Sequence, residues 1–338
     1  MPSSTTTAAA TTADHGEGTA ITALHPEIIR THLLTRLDGP TLASAGAAFT
    51  ELHTLCSEDN LWRRLCHSSW PSTADPIVRH AISAFPSGHR SFFSDSFPTI
   101  HRRRDHLPCH RPPATELISA VDIFHGEKSI YSKAIVSETV SNWFSSSPFR
   151  VELLNTKGTP ARFFPCPAGQ EELEEQLALS WILIDPSGKR SVNVSSLKPV
   201  GFRQNCFTGN IEIRFATVLE GGGGEWVQFS VVVTCEGKEG GEAHVREASM
   251  QVEDMEGKSV KGKESLVIIQ EAMGMERRKR KEGEEKERYE EFERRKRERK
   301  EIKERREKRL DLACIAAGLF TLIVFLTLVL FGSGRVVW

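Results

Sequence analysis

Residues 24–66 read LHPEIIRTHLLTRLDGPTLASAGAAFTELHTLCSEDNLWRRLC, and this stretch decides the N-terminal fold. A proline in the first turn of a helix loses no hydrogen bond, so His25-Pro26-Glu27 predicts a helix start. Apolar residues then recur at helical spacing as far as Leu37, and Asp38-Gly39-Pro40 separates this helix from a second one. Polar residues 57–60 offer caps for another helix. The stretch therefore predicts three short helices.

The same stretch resembles an F-box. It has a Leu-Pro-x-Glu-style opening at Leu24, a helical Ile/Leu run, and a closing Leu61-Trp62. Three downstream stretches resemble a plant F-box subgroup and extend the likeness over about residues 20–235; they are residues 69–72, 88–98 and 141–150. A unit of this size buries little surface alone, so part of its apolar surface is expected to face a partner or the following domain.

The resemblance implies a Skp-family adaptor as partner and, through it, the cullin of a ubiquitin ligase. The adaptor-binding positions it implies are Leu24, Pro26, Glu27, Ile28, Leu34 and Trp62. From the residues alone, a helical subdomain packed on its own chain is the alternative. Ala47-Ala48-Phe49 departs from the family pattern, and this departure motivates a second alternative, a membrane-anchored interaction scaffold without ligase coupling.

The C-terminus predicts a transmembrane helix. Leu312–Phe331 contains 20 residues without a charge, which is ~30 Å of helix and matches a bilayer's hydrocarbon core. A buried core helix is the alternative. Basic residues precede this span in excess, which places residues 1–311 in the cytosol. We expect a single-pass tail anchor (311–331) with a short tail (332–338), in the endoplasmic reticulum or another endomembrane.

A highly charged segment precedes the span. Residues 276–309 contain 18 basic and 12 acidic residues among 34, a net charge of +6 within a chain of net charge −1. Oppositely charged pairs at i,i+4 favour a helix, and the lack of a heptad seam argues against a coiled coil. We predict a solvated helical stalk over 275–310. A nucleic-acid interpretation of Arg277–Lys281 is weaker because interleaved acidic residues repel phosphate, so we expect no nucleic-acid partner.

The middle of the chain predicts a β-rich module. Residues 67–116 form a Pro-rich connector with one short helix near 75–84. Alternating apolar residues from Ile211 and from Val227 predict half-buried strands, and Asp185-Pro186-Ser187-Gly188 predicts a turn. Lys263–Met273 predicts a closing helix. The overall class is α+β, and we expect residues 117–274 to form an antiparallel sheet or sandwich that holds an unknown protein target. A ligand-binding or hydrolytic β domain is the alternative.

No catalytic constellation is visible in the sequence. The seven cysteines form no Cys-x-x-Cys pair, which favours free thiols in a reducing compartment. His101, His106, Cys109 and His110 match no zinc-site spacing. Aromatic residues of the β module, Trp143, Phe144, Trp181 and Trp226, are expected in its core. We therefore expect no catalytic residue, metal or cofactor.

The 39% hydrophobic content excludes a wholly disordered chain, although residues 1–20 predict a disordered leader. Residues 21–66 form the F-box. With the resemblance and the anchor, this organisation predicts a membrane-tethered, non-enzymatic substrate receptor of a Skp-cullin-F-box ubiquitin ligase.

Overall fold

The computed structural model describes residues 24–97, 99–101, 112–154, 162–166, 170–205, 208–220, 225–237, 240–278, 281 and 283–332. The predicted leader and the side chains of His106, Cys109 and His110 lie outside these residues. The described part is α+β, with N-terminal helices, antiparallel sheets and a long C-terminal helix, as the sequence predicted.

The N-terminal residues form helices as far as Ser96. Helix α1 consists of an α-helical turn (Pro26–Ile28), a π-helical segment (Ile29–Leu33) and a 3₁₀ turn (Leu34–Arg36). It is followed by α2 (Gly39–Ala45), α3 (Thr50–Cys56), α4 (Asp59–Ser69), a 3₁₀ turn (Pro71–Ala74), α5 (Pro76–Ser83) and α6 (Gly88–Ser96).

Two sequence predictions differ from this arrangement. Residues 24–66 start four helices rather than three, because a turn at 46–48 and the extended backbone of Phe49 (φ −161°, ψ 164°) interrupt the predicted second helix. Residues 67–116, predicted as a connector with one short helix, contain α5 near the expected place and α6 in addition. Helix α4 also crosses the predicted boundary at 66/67.

The remaining elements form the β-rich part. Its strands are β1 (Thr99–His101), β2 (Glu116–His125), β3 (Lys128–Glu138), β4 (Arg150–Leu154), β5 (Phe164–Pro165), β6 (Leu177–Asp185), β7 (Arg190–Asn193), β8 (Gly201–Gln204), β9 (Ile211–Glu220), β10 (Trp226–Gly237), β11 (Glu242–Asp254) and β12 (Glu276–Arg278). Its helices are α7 (Asn142–Ser146), α8 (Gln170–Gln176), α9 (Gly262–Gly274) and α10 (Glu284–Gly332).

All strands except β1 and β12 form two sheets that pack as a sandwich. The smaller sheet has the order β3-β2-β6-β7, and the larger has the order β4-β11-β10-β9-β8 with β5 also paired to β11. Every pairing is antiparallel, including the separate pair β1–β12. The predicted turn after Asp185 joins β6 to β7, where the Asp185 carboxylate accepts a hydrogen bond from the Gly188 N–H (2.8 Å).

Strands β2 and β6 of the smaller sheet are buried on both faces over most of their length. Val121 of β2 and Trp181 of β6 point toward the larger sheet and join its core. Ile118 of β2 and Ile182 of β6 point the other way, into the cluster formed by the N-terminal helices. Because neither face meets water, the alternation of polar and apolar residues is lost, and β6 is an almost unbroken apolar run.

Buried polar groups fix the helices to the smaller sheet. The Trp70 indole N–H donates to the Ser180 hydroxyl (3.1 Å). The Ser72 N–H (2.8 Å) and hydroxyl both donate to the Asp122 carboxylate, and Ser132 donates to it from the neighbouring strand (2.7 Å). Burial raises the pKa of Asp122 to about 6, although these hydrogen bonds act to lower it. The Trp70-Pro71-Ser72 stretch is thus a docking element.

A second polar cluster holds the end of α6. The Asp95 carboxylate accepts hydrogen bonds from the Arg190 guanidinium (2.7 Å) and the Ser191 N–H (3.3 Å). The Arg277 guanidinium donates to the carbonyl oxygens of Asp95 (2.8 Å) and Ser191 (3.2 Å). Burial lowers the pKa of Arg277 to about 10. The first residues of the predicted stalk therefore form strand β12 inside the folded body.

The prediction of a solvated stalk is also wrong for the first turns of α10. Phe292 is fully buried against Val218, Met255 and the half-buried Trp226 on the outer face of the larger sheet. The Arg295 guanidinium lies over the Trp226 ring at 4.3 Å from its centroid. The Lys296 ammonium pairs with the Glu253 carboxylate at 3.0 Å. These three contacts dock the start of α10 on the sheet, and residues 297–328 are exposed throughout.

The apolar part of α10 is exposed from residue 312 to residue 328. Within the described ranges, α10 is the one helix long and apolar enough to cross a membrane, with a mean hydropathy of 2.2 in its best window and none of that window buried. Residues 312–328 contact no core, which disfavours the alternative of a buried core helix.

We predict that Asp122 makes stability fall as pH rises. The folded-state pKa of about 6 exceeds the ~3.9 of an unfolded Asp, so this contribution is present below pH ~4 and is lost as pH rises through about 6. The free energy of unfolding can be measured by urea unfolding of the full chain in detergent, followed by tryptophan fluorescence. Relative to Asp122→Asn, the free energy of unfolding of the wild type should fall by up to about 3 kcal/mol as the pH rises over this range.

The matched control is Asp122→Leu, which leaves the Ser72 N–H without an acceptor and should cost ~1–3 kcal/mol. The prediction is contradicted if the difference in the free energy of unfolding between wild type and Asp122→Asn does not change with pH.

Candidate functional site

Helix α1 is positioned by its own sequence. The His25 ring nitrogen Nδ1 accepts a hydrogen bond from the Glu27 N–H (3.3 Å), and Pro26 occupies the first turn. The Thr31 hydroxyl donates to the Glu27 carbonyl oxygen (2.7 Å) and the Thr35 hydroxyl to that of Thr31 (2.7 Å). These bonds hold the helix as it changes from α to π and 3₁₀ geometry.

The π-helical segment decides which residues of α1 face the core. In an α-helix, residues five apart are separated by ~140°. The wider i→i+5 turn brings such residues nearly onto one face. Ile29 and Leu34 are five apart and both are buried, whereas Ile28 and Leu33 are five apart and both are exposed. The helix thus presents an apolar outer side as well as an apolar inner side.

Four of the six predicted adaptor-binding residues lie on the surface of α1 or just before it. Leu24 is 44% exposed and Ile28 is 49% exposed, and Leu33 nearby is 44% exposed. Pro26 and Glu27 are exposed between them. We refer to Leu24, Pro26, Glu27, Ile28 and Leu33 as the α1 surface; Leu33 was not among the residues predicted from the sequence.

The other two predicted residues are buried. Leu34 and Trp62 both belong to the core of the helical layer, where they are 1% and 2% exposed. The Trp62 indole N–H donates to the Cys56 carbonyl oxygen (2.6 Å), and its ring lies 5.4 Å from that of Phe93. The structure therefore does not bring these two side chains to the α1 surface; they support it from beneath.

Electrostatic contacts connect the α1 surface to α4. The Arg30 guanidinium lies 3.2 Å from the Glu27 carboxylate and 3.0 Å from that of Glu58, the residue before α4. These partly exposed pairs stabilise the fold little, about 0.2–1 kcal/mol each. Their effect is to fix the direction of Arg30 and to leave the apolar side chains of α1 uncovered.

A groove at the start of α10 is the other candidate site. It has a volume of about 620 Å³ and lies between the end of α8, the loop Leu197–Val200 and residues 281–286. Its charged lining is internally paired: the Lys286 ammonium lies 3.0 Å from the Glu174 carboxylate, and the Leu197 N–H donates to Glu285 (3.2 Å). This groove supports the attachment of α10 and shows no convergent reactive groups.

Nothing in the described ranges assembles a metal site, since no group of three or more His, Cys, Asp or Glu side chains is close enough to hold an ion there. Four cysteines of these ranges are buried, namely Cys56, Cys66, Cys166 and Cys235. Burial raises the pKa of the Cys66 and Cys235 thiols, which disfavours the reactive thiolate.

The expectation that four aromatic residues of the β module are core is wrong for one of them. Phe144 and Trp181 are buried and Trp226 is half-buried, but Trp143 is 76% exposed. The signal was available in the sequence: two adjacent aromatic residues on a five-residue helix point in different directions, so both cannot reach one core.

The described part of the chain is thus a small helical unit, with an apolar outer side on α1, packed on a β-sandwich. The chain is 47% identical over 277 residues to F-box protein At2g27310 of Arabidopsis thaliana, covering 77% of this chain and 80% of the relative. It is 39% identical to F-box protein At3g44326 of the same plant, covering 82% and 80% of the two chains.

A third relative, probable F-box protein At2g36090 of Arabidopsis thaliana, is 43% identical, with 75% of each chain covered. No protein-family model and no solved structure matches the chain. These relatives show that the chain belongs to the plant F-box proteins, which confirms the family that the sequence resembles.

We predict that a substitution on the outer side of α1 changes the free energy of unfolding little, whereas one on its inner side lowers it strongly. Ile28→Ser removes an exposed side chain and should change the free energy of unfolding by less than ~0.5 kcal/mol. Leu34→Ala leaves a cavity in the helical core and should cost about 2–5 kcal/mol. Urea unfolding of the full chain in detergent measures both, and equal losses for the two variants are the result that contradicts this assignment.

Proposed function

We propose that the chain is the substrate-recognition subunit of a Skp-cullin-F-box ubiquitin ligase, and that a Skp-family adaptor binds the α1 surface. The observation that carries the proposal is the uncovered apolar side of α1: Leu24, Pro26, Ile28 and Leu33 are exposed although the inner side of the same helix is firmly packed. Contiguous exposed apolar residues of this kind are typical of protein-interaction sites. The cullin is reached through the adaptor.

The role proposed for the chain is positional rather than catalytic. The β-sandwich offers a surface for a target protein, and the ligase's own enzyme transfers ubiquitin to that target. Placing the target beside the ubiquitin carrier raises the effective concentration of one for the other without new chemistry. Leu34 and Trp62 serve this function indirectly, because they hold α1 in place from the core.

The proposal includes a membrane. We infer that Leu312–Phe331 of α10 spans a bilayer with the folded body in the cytosol, at the endoplasmic reticulum or another endomembrane. The exposed apolar surface of α10 supports this, and the basic residues that precede the span support the orientation. Ubiquitination would then be confined to targets at that membrane.

We predict that a charge on the α1 surface abolishes adaptor binding. Ile28→Asp places a charge in the proposed apolar contact and should weaken the affinity for a Skp-family adaptor at least tenfold, measured by biolayer interferometry with the detergent-solubilised chain. Ile77→Asp is the matched control, because Ile77 is equally exposed (47%) on α5 of the same helical layer.

The double variant Leu24→Ala/Pro26→Ala should also lose affinity, since it removes contact area and the fixed φ of the helix start. Adaptor binding that is unchanged in Ile28→Asp excludes the α1 surface. If the adaptor binds neither the variants nor the wild type, that result favours the alternative of an interaction scaffold without ligase coupling.

We predict that deletion of residues 312–338 releases the protein from membranes. The full chain should resist carbonate extraction and the truncated chain should not, because Leu312–Phe331 is the long uncharged run of the sequence. A glycosylation acceptor added after Trp338 should be modified in endoplasmic reticulum microsomes, and one added before Met1 should stay unmodified. A truncated chain that remains carbonate-resistant is incompatible with this span.

A further inference from the structure

The exposed part of α10 that precedes its apolar run is not charged evenly around its circumference. In the described ranges, Lys296 is the last residue along α10 with an ion pair to the folded body, and residues 297–311 are all exposed. These residues include eight basic and five acidic side chains. Because successive residues of an α-helix are turned by ~100°, helical geometry decides which of these charges stand on the same side.

One side of this segment has no acidic residue. At ~100° per residue, six side chains fall within about 120° of one another. Four of the six are basic and two are apolar; they are Arg299, Ile302, Lys303, Arg306, Arg309 and Leu310. We refer to these six residues as the α10 stripe. All five acidic residues of the segment lie on the rest of the circumference, together with the other four basic residues.

The α10 stripe continues the side of the helix that packs on the larger sheet. Phe292 is buried on that sheet, and Arg299, seven residues further on, stands at nearly the same angle around the helix. Lys303 follows in the same way from Lys296, whose ammonium pairs with Glu253 of β11. The stripe therefore begins where the contact with the sheet ends.

The cations of the stripe are not neutralised along the helix. On another side of α10, Arg305 lies 3.4 Å from the Glu301 carboxylate. In contrast, Arg299, Arg306 and Arg309 have no acidic residue three or four positions away in either direction. Like-charged residues at these spacings destabilise a helix slightly, so a segment that served only as a spacer would gain from interleaved acidic residues here.

Two acidic residues of the folded body at this end already have cationic partners. Glu253 is paired with Lys296 at 3.0 Å. Glu256, in the turn that follows β11, is paired with Lys258 at 2.7 Å. An exposed row of cations whose own chain pairs its nearby carboxylates elsewhere suits an anionic partner from outside.

We infer that the α10 stripe is a docking site for an acidic amphipathic segment of a partner protein, separate from the α1 surface. Carboxylates of that segment pair with the four cations of the stripe, and its apolar residues cover Ile302 (52% exposed) and Leu310 (65% exposed). Complementary charge of this kind provides specificity and fast association. The stripe extends over ~17 Å, which is about three turns of a partner helix.

Length and width favour a protein segment over other anionic partners. If α10 spans a membrane as proposed, headgroups extend ~5–8 Å beyond the hydrocarbon core and meet Arg309, whereas Arg299 lies ~20 Å before Leu312. A nucleic-acid duplex is wider than the stripe and would meet Glu298 and Glu307 at its borders, which repel phosphate. A single helix, ~10 Å wide, fits between these two residues.

The test uses the full chain in a neutral detergent. The probe is a labelled 12-residue peptide of the repeat Glu-Glu-Leu-Ala, which is ~18 Å long as a helix. The same peptide with Gln in place of Glu controls for apolar binding. Fluorescence anisotropy measures the Kd at low and at physiological salt. The wild type should bind the acidic peptide, more weakly as the salt concentration rises, and should bind the Gln peptide least.

The variant Arg299→Gln/Arg306→Gln removes two cations from the stripe. It should weaken binding of the acidic peptide about three- to tenfold, which corresponds to the loss of two exposed ion pairs. The matched control, Arg297→Gln/Arg305→Gln, removes the same charge from other sides of the helix and should bind as the wild type does. Ile302→Ser should weaken binding without changing its salt dependence.

Three results overturn the inference. An equal loss in both double variants indicates attraction to net charge rather than to the stripe. A wild type that does not bind the acidic peptide excludes the site. A labelled DNA duplex that binds more tightly than the peptide, and is released by Arg299→Gln/Arg306→Gln, assigns the stripe to nucleic acid. None of these measurements involves an adaptor or a bilayer, so the proposed function is tested independently.

Discussion

Strand β6 has no face that meets water, and the layer order of the molecule depends on this. Its Trp181 joins the core shared with the larger sheet, while its Ile182 joins the core of the helical layer. Two buried polar groups of this sheet find partners in the helical layer: Ser180 accepts from the Trp70 indole N–H, and Asp122 accepts from the Ser72 N–H. Without a hydrogen-bond partner, each such buried group would lower the stability of the fold by about 1–3 kcal/mol. Apolar burial thus brings the layers together, and these hydrogen bonds select one relative position.

The fold could be predicted from sequence wherever apolar residues recur with a regular period. The hairpin of β9 and β10 alternates clearly and was predicted, as were α5 and α9. Helix α6 was missed because its Phe92 and Phe93 are adjacent and show no helical period; both are buried, against Phe85 and Trp70. Strand β12 was missed because Glu276–Arg278 is wholly charged, and it pairs with β1 through contacts distant in sequence.

The candidate site was predictable in part for the same reason. Spacing identified the start of α1 and its family likeness, but it could not show that a π-helical segment turns Leu34 inward and Leu33 outward. Composition suggested a free stalk because 30 of its 34 residues are charged, yet Phe292 is buried on the outer face of the larger sheet, where contacts of Arg295 and Lys296 support it. The average composition of a segment does not reveal a single buried aromatic residue. Burial of one such side chain stabilises the fold as much as several weak surface ion pairs.

Docking of α10 has a consequence for how the protein can work. Helix α1 belongs to the layer on one side of the smaller sheet, whereas α10 lies on the outer face of the larger sheet. With layers about 10 Å apart, the α1 surface and α10 are separated by roughly 30 Å of packed protein. A flexible tether would let any side of the body meet the bilayer. If α10 spans a membrane as proposed, a helix fixed by Phe292 and the Lys296–Glu253 pair would instead hold the body in one orientation to the bilayer, and an adaptor bound to the α1 surface would have access from the side opposite α10.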